Sequence, residues 1–220
     1  DIQVVVLDDA FQHREVKAGL NILLTDYHHL YSDDYLLPAG NLRDSRASSK
    51  RAQVIVVTKC KPELNEEDKL KIINKLKALP EQKVYFTKIL YTNPYHLFSK
   101  EEFVLGKNTE VLLVTGIANP GRIEELLKDQ VRKYELMRFK DHYHFHSDDI
   151  KEIINRFSKI DNSQKIILTT EKDAVRLFKF ENELTRMPVF ALPMEHEFLF
   201  DAAKQFEQDI LKFIESFEKK

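Results

Sequence analysis

The 220-residue sequence has one cysteine, Cys60, so no disulfide can form within the chain, which suits a reducing compartment. No stretch approaches the roughly 20 consecutive apolar residues of a membrane span. Neither sign of charge dominates: 34 basic residues face 36 acidic ones, a net charge of -2, which argues against a broad polyanion-binding face and against nucleic acid as a partner. Glycine is scarce. The five are Gly19, Gly40, Gly106, Gly116 and Gly121, and none belongs to a G-x-x-x-x-G-K-[ST] loop. Any phosphate cradle of that kind therefore lies outside these residues. Internal repeats and low-complexity tracts are also missing.

What is present is the composition of a globular protein, with 43% hydrophobic and 32% charged residues. A chain of this size buries roughly 70% of the surface its unfolded form exposes, enough for a core without covalent staples. Short β-branched runs at residues 4–7, 21–25, 54–57, 84–87, 111–115, 165–169 and 189–192 read as strands. Helical spacing places Leu70, Ile73, Leu76 and Leu79 on one face, then Ile150, Ile153, Ile154 and Phe157, then Phe206, Ile210, Phe213 and Phe217. Strands alternating with helices predict an α/β fold with mostly parallel sheets. A boundary is expected within residues 93–108, giving two units, residues 1–88 and 89–220. Residues 84–91 and 189–200 are expected to pair as a ribbon between them. The chain opens directly on an apolar run, so it is expected to be a piece cut just before an interior strand.

Three segments carry candidate chemistry. The first, Asp8-Asp9-Ala10-Phe11-Gln12-His13, follows the apolar run at residues 4–7. Ligands of parallel α/β sheets bind beyond the carboxyl ends of strands. Two carboxylates there can hold Mg²⁺, with Gln12 and His13 to orient a phosphate or a hydroxyl. The plainer alternative is a turn in which Asp8 or Asp9 caps a following helix. The second segment, Pro38-Ala39-Gly40-Asn41-Leu42-Arg43-Asp44, offers Arg43 to a phosphate and Asp44 to a metal, or else is a surface turn with an ordinary ion pair. The third runs from Phe139 to His146. Its alternating His142, His144 and His146 would share one face of an extended chain, which permits Zn²⁺ binding but equally fits a half-buried segment. Asp141 beside His142 suggests a carboxylate–imidazole pair for proton transfer, although adjacent strand residues point apart. Two loop-to-helix junctions follow strands: Gly116-Ile117-Ala118-Asn119-Pro120, and Thr170-Glu171-Lys172-Asp173, where the spacing fits helix capping.

In this order the segments resemble the tetraacyldisaccharide 4'-kinases of lipid A biosynthesis. That family carries D-D-G-F-Q-H, P-x-G-x-L-R-E, G-I-x-N-P, D-H-[HY] and T-x-K-D-A-V elements. Here they read Asp8 to His13, Pro38 to Asp44, Gly116 to Pro120, Asp141-His142-Tyr143 and Thr170 to Val175. The ordered set is specific, while each piece alone is not. Ala10 replaces the usual glycine, and Asp44 replaces the usual glutamate, one methylene shorter in reach.

The resemblance implies a P-loop-kinase-like parallel sheet, incomplete at its N-terminus, followed by a second, smaller α/β unit. It implies ATP and Mg²⁺ as cofactors. Asp8, Asp9 and Asp44 would serve the metal. Gln12, His13 and Arg43 would line the phosphate and substrate site. Asp9 would act in catalysis with His142, which would support a base deprotonating the sugar hydroxyl, with Asp141 beside it. The implied partner is an acylated disaccharide lipid at the cytoplasmic face of the bacterial inner membrane, reached through an N-terminal part outside this chain. Without that part the chain is expected to be inactive. The alternative is a non-catalytic metal- or nucleotide-binding module. A GTPase or ligase built on Asp8 and Asp9 ranks last, because no guanine-reading motif follows residue 57.

Overall fold

A strand that is apolar at every position must be covered on both faces, which parallel sheets achieve with crossover helices. The computed structural model of the chain describes residues 4–13 and 15–216. Its elements run β1 (Ile22–Asp26), β2 (Val54–Thr58), α1 (Glu66–Leu76), β3 (Lys83–Tyr91), β4 (Tyr95–His96) and β5 (Glu110–Thr115). Then come α2 (Gly121–Gln130), β6 (Lys133–Arg138), α3 (Ser147–Ser158), β7 (Lys165–Thr170), α4 (Glu171–Leu177), α5 (Glu181–Leu184), β8 (Val189–Leu192), β9 (Met194–Phe198) and α6 (Ala203–Ser216).

The chain divides into two units, Asp1–Leu90 with His196–Lys220, and Tyr91–Glu195. In the first, the strand order is β1-β2-β3-β9, with β1, β2 and β3 parallel. Ile55, Val57, Leu64, Ile72, Leu76 and Phe86 form its main core, which also encloses Cys60. Asn65 starts α1 by accepting a hydrogen bond from the Asp68 N–H at 2.8 Å, and Lys77 ends it in a left-handed conformation.

The second unit has the order β4-β8-β7-β5-β6, parallel except for β4. Val111, Leu112, Leu113 and Val114 of β5 are at most 1% exposed, as a central strand sandwiched between helix layers requires. On α3 the buried residues are Ile150, Ile153 and Phe157, as the helical spacing predicted. Each such side chain contributes about 1.5–3 kcal/mol when fully buried.

On α1 the expected face is shifted: Leu70 is 59% exposed and Leu79 lies past the helix end, while Ile72 and Leu76 are the buried residues. Two further sequence expectations need correction. Residues 4–7 are not a strand: they are irregular, and Val6 is 88% exposed. Four apolar residues make a strand only where a neighbouring strand accepts their N–H groups, and among the described residues β1 pairs with β2 alone. Residues 1–3, which precede that run, and Phe217 of the expected α6 stripe lie outside the described residues. The second correction concerns residues 196–220, which group with the first unit rather than closing the second. Phe206 of α6 packs edge-on against Tyr85 of β3, ring centroids 5.1 Å apart, and lies 4.7 Å from Phe198 of β9. The expected ribbon is realised in part. Here β9 lies beside β3, whereas β8 belongs to the other sheet.

Asp209 locks α6 to the sheet. Its side chain is 4% exposed, and it accepts hydrogen bonds from the Tyr85 hydroxyl, the Lys83 ammonium and the Gln205 amide. Burial alone would raise its pKa, but these donors outweigh burial and hold it below the ordinary 3.8. A depressed carboxylate pKa stabilises the fold above the unfolded value, and the effect is lost as pH falls through the folded value. Asp209→Asn is expected to weaken α6 docking by about 1–3 kcal/mol at neutral pH. Hydrogen exchange along α6 measures this. The difference from wild type should shrink as pH drops below 3.8.

Candidate functional site

In the first unit the acidic segment is a pair of tight turns, closed in part by the His13 N–H donating to the Ala10 carbonyl at 2.9 Å. No helix follows among described residues 8–20, so neither Asp8 nor Asp9 is a helix cap there. Asp9 sits at a left-handed φ of 48°, and its exposed carboxylate accepts a hydrogen bond from Arg43 Nη2 at 2.6 Å. That contact joins two motif segments 34 residues apart in sequence. The Arg43 hydrogen bond and charge, aided by His13, hold the Asp9 carboxyl below the usual carboxylate range. Asp8 and His13 are exposed and Gln12 is half-buried on the same turns.

The loop that carries Arg43 is built by its own polar groups. The Asp34 carboxylate accepts from the Tyr35 and Asn41 N–H groups at 2.7 and 3.1 Å, and the Asp34 carbonyl accepts from Arg46. A Cβ on Gly40 would collide with the Asp34 carboxylate and the Tyr35 backbone, so glycine is required there. Asp44 accepts from the Ser45 N–H at 2.8 Å and from Arg51 Nη2 at 3.0 Å. Arg51 also lies over the Phe11 ring, 4.5 Å from its centroid. Arg51 thus touches both segments, and the sequence reading missed it, since nothing in its local pattern marks it.

In the second unit three loops leave the carboxyl ends of the neighbouring parallel strands β6, β5 and β7, so they gather at one sheet edge. At their centre is Asp173, fully buried. Asp173 Oδ2 accepts from the Thr115 hydroxyl at 3.0 Å, the Gly116 N–H at 2.9 Å and the Thr170 hydroxyl at 2.9 Å. Its Oδ1 accepts from Arg176 Nη1 at 2.8 Å. The predicted cap is also present: Thr170 Oγ1 accepts from the Asp173 N–H at 3.2 Å. The backbone passes closely at Gly116, where a Cβ would stand 2.9 Å from the Lys140 carbonyl oxygen.

Lys140 leads into the turn Asp141-His142, and His142 has a left-handed φ of 59°. Lys172 Nζ lies 3.1 Å from Asp141 Oδ1 and 3.2 Å from His142 Nε2, while Arg176 Nη2 lies 3.4 Å from His142 Nδ1. Hydrogen bonding from Lys172 draws the Asp141 carboxyl below its usual range. The direct separation of Asp141 Oδ2 from His142 Nε2 is 3.8 Å, so lysine, rather than a close carboxylate–imidazole bond, organises the pair. Beyond the turn the chain alternates: Phe145 is fully buried while His144 and His146 face outward. Among the described residues no group of three or more metal-binding side chains comes together, and the outward His144 and His146 flank the buried Phe145 as in the half-buried alternative. Asp8, Asp9 and Asp44 likewise do not converge as a ready-made cage.

A parallel sheet whose charged loops gather at its carboxyl edge makes this an α/β protein with a polar site at the strand ends, and comparison with known proteins makes the assignment specific. The tetraacyldisaccharide-1-P 4'-kinase family matches residues 1–215. A tetraacyldisaccharide 4'-kinase of Bacteroides fragilis is 42% identical across 97% of this chain and 59% of its own length. One from Flavobacterium johnsoniae is 43% identical across 91% of this chain and 58% of its own. The crystal structure of LpxK from Aquifex aeolicus in complex with ATP superposes with a TM-score of 0.64 at 25% identity, over 94% of this chain and 56% of that one. The chain belongs to the tetraacyldisaccharide-1-P 4'-kinase family. It spans about three-fifths of the length of the curated relatives it matches.

Proposed function

We propose that this chain is part of an ATP-dependent kinase that phosphorylates the 4'-hydroxyl of a tetraacylated glucosamine disaccharide 1-phosphate in lipid A biosynthesis. The observation that carries the reading is the Asp9–Arg43 contact, which unites an acidic and a basic loop from two separate family motifs at 2.6 Å. Phosphoryl transfer asks the protein mainly for positioning and charge neutralisation, and such a pair supplies one group for a cation and one for phosphate oxygens. The non-catalytic alternative draws no support from the relatives found.

The donors fit Mg²⁺, which takes oxygen ligands, keeps several waters and needs only one or two carboxylates besides the phosphates. Asp8 and Asp9 would hold it, both being exposed on one turn. Asp44 could join only by yielding its bond to Arg51. When bound, Mg²⁺ with ATP neutralises the charge on the transferred phosphoryl group. Arg43, released from Asp9, would orient phosphate oxygens bidentately, with Gln12 and His13 beside it. In the second unit, His142 would hold the carboxylate that takes the proton of the acceptor hydroxyl, and Asp141 with Lys172 would hold the turn. The acylated acceptor requires work at a membrane surface, the cytoplasmic face of the inner membrane. No helix among the described residues is long and apolar enough to cross a bilayer.

The chain contains no Walker-type glycine loop, whose N–H groups and lysine supply much of the phosphate affinity in P-loop enzymes. Calorimetric titration of this chain with Mg²⁺–ATP is therefore expected to show only weak binding. A phosphoryl-transfer assay with the acylated disaccharide should show no turnover. Micromolar affinity or measurable turnover would place the cradle inside residues 1–220 and overturn this part of the reading.

A further inference from the structure

We infer that Arg176 is a positioning residue that sets which ring nitrogen of His142 carries the proton, leaving Nε2–H as the donor the imidazole offers to a carboxylate. The inference rests on the reading of His142 as support for the base. The His142 side chain is 72% exposed, so packing does not lock its ring and its polar neighbours decide. One guanidinium bridges two groups: Nη1 donates to Asp173 Oδ1 at 2.8 Å, and Nη2 faces His142 Nδ1 at 3.4 Å. The Asp173 end cannot move without stranding a fully buried carboxylate whose other oxygen already accepts from Thr115, Gly116 and Thr170.

A guanidinium has donors and no acceptor, so the nitrogen facing it must present its lone pair. A neutral imidazole has one N–H, so that proton lies on Nε2. Lys172 Nζ, 3.2 Å from Nε2, is the rival donor. However, Lys172 is a point charge on a flexible stem that already binds Asp141 Oδ1 at 3.1 Å, whereas the arginine fork is anchored in the core. The buried frame at the ends of β5 and β7 thus reaches His142 Nδ1 through Arg176.

Nitrogen-resolved NMR of the chain at about pH 8.5, above the ordinary histidine range, tests this directly. His142 is expected in the Nε2–H form. Arg176→Lys keeps a cation for Asp173 but cannot span both partners, so the Nδ1–H form should rise severalfold, while Lys172→Met, which removes the rival donor facing Nε2, should only raise the Nε2–H share. In a full-length kinase containing the chain, Arg176→Lys should lower kcat roughly 10-fold with KM unchanged, and should add nothing in a His142→Ala background. An Nδ1–H wild type, a ratio indifferent to Arg176→Lys, or a full additional loss on top of His142→Ala overturns the inference. If His142→Ala alone leaves kcat intact, the base-support reading falls, while the NMR result still decides the tautomer.

Discussion

Asp9→Asn in a full-length kinase containing this chain is expected to lower kcat by roughly 10²–10³, the usual cost of deleting one preorganised electrostatic group at developing charge. Thermal stability should stay near that of wild type. The Asp9–Arg43 pair is exposed on both sides, and surface pairs contribute little to folding. The asparagine keeps the turn, since it tolerates the left-handed backbone that Asp9 adopts. Steady-state rates at saturating Mg²⁺, set beside melting curves, separate the two effects. A rate within a few fold of wild type means that Asp9 does not hold the metal.

Asp173→Ala should do the opposite, damaging the fold before the chemistry. Removing a fully buried carboxylate strands Arg176, two hydroxyls and the Gly116 N–H together. Breaking a buried pair in this way costs about 3–5 kcal/mol. Urea unfolding followed by circular dichroism measures the loss. Hydrogen exchange should assign it to the second unit, starting at the ends of β5 and β7. A loss below about 1 kcal/mol would show that the strand ends are held by packing alone.

The contrast between these two aspartates shows what a sequence makes legible. Apolar periodicity located α1, α3, α6 and most strands, because burial writes a repeat of two or of three to four along the chain. Residues 4–7 share that composition yet form no strand, since pairing needs a partner that composition cannot name. Asp8, Asp9, Arg43 and His142 stood out because charged residues clustered with glycine or histidine in short, ordered motifs. Asp173 looked like an ordinary helix-start residue. Its bonds to Thr115 and Gly116 span 58 and 57 residues, and no local pattern encodes such distances. Arg51 and Arg176 escaped for the same reason: each works by reaching across the fold.

The division of the chain also sets an order of assembly during synthesis. Residues 91–195 form an uninterrupted stretch, so the ribosome delivers every strand of the second unit before releasing β9 and α6, which join the first. The sheet β1-β2-β3 must meanwhile wait with the flank of β3 uncovered until β9 emerges. Domains generally fold as units in the order in which they leave the ribosome. Within these residues the first unit gains β9 only after the second has been delivered, and in that interval the β3 edge stands open to wrong pairing.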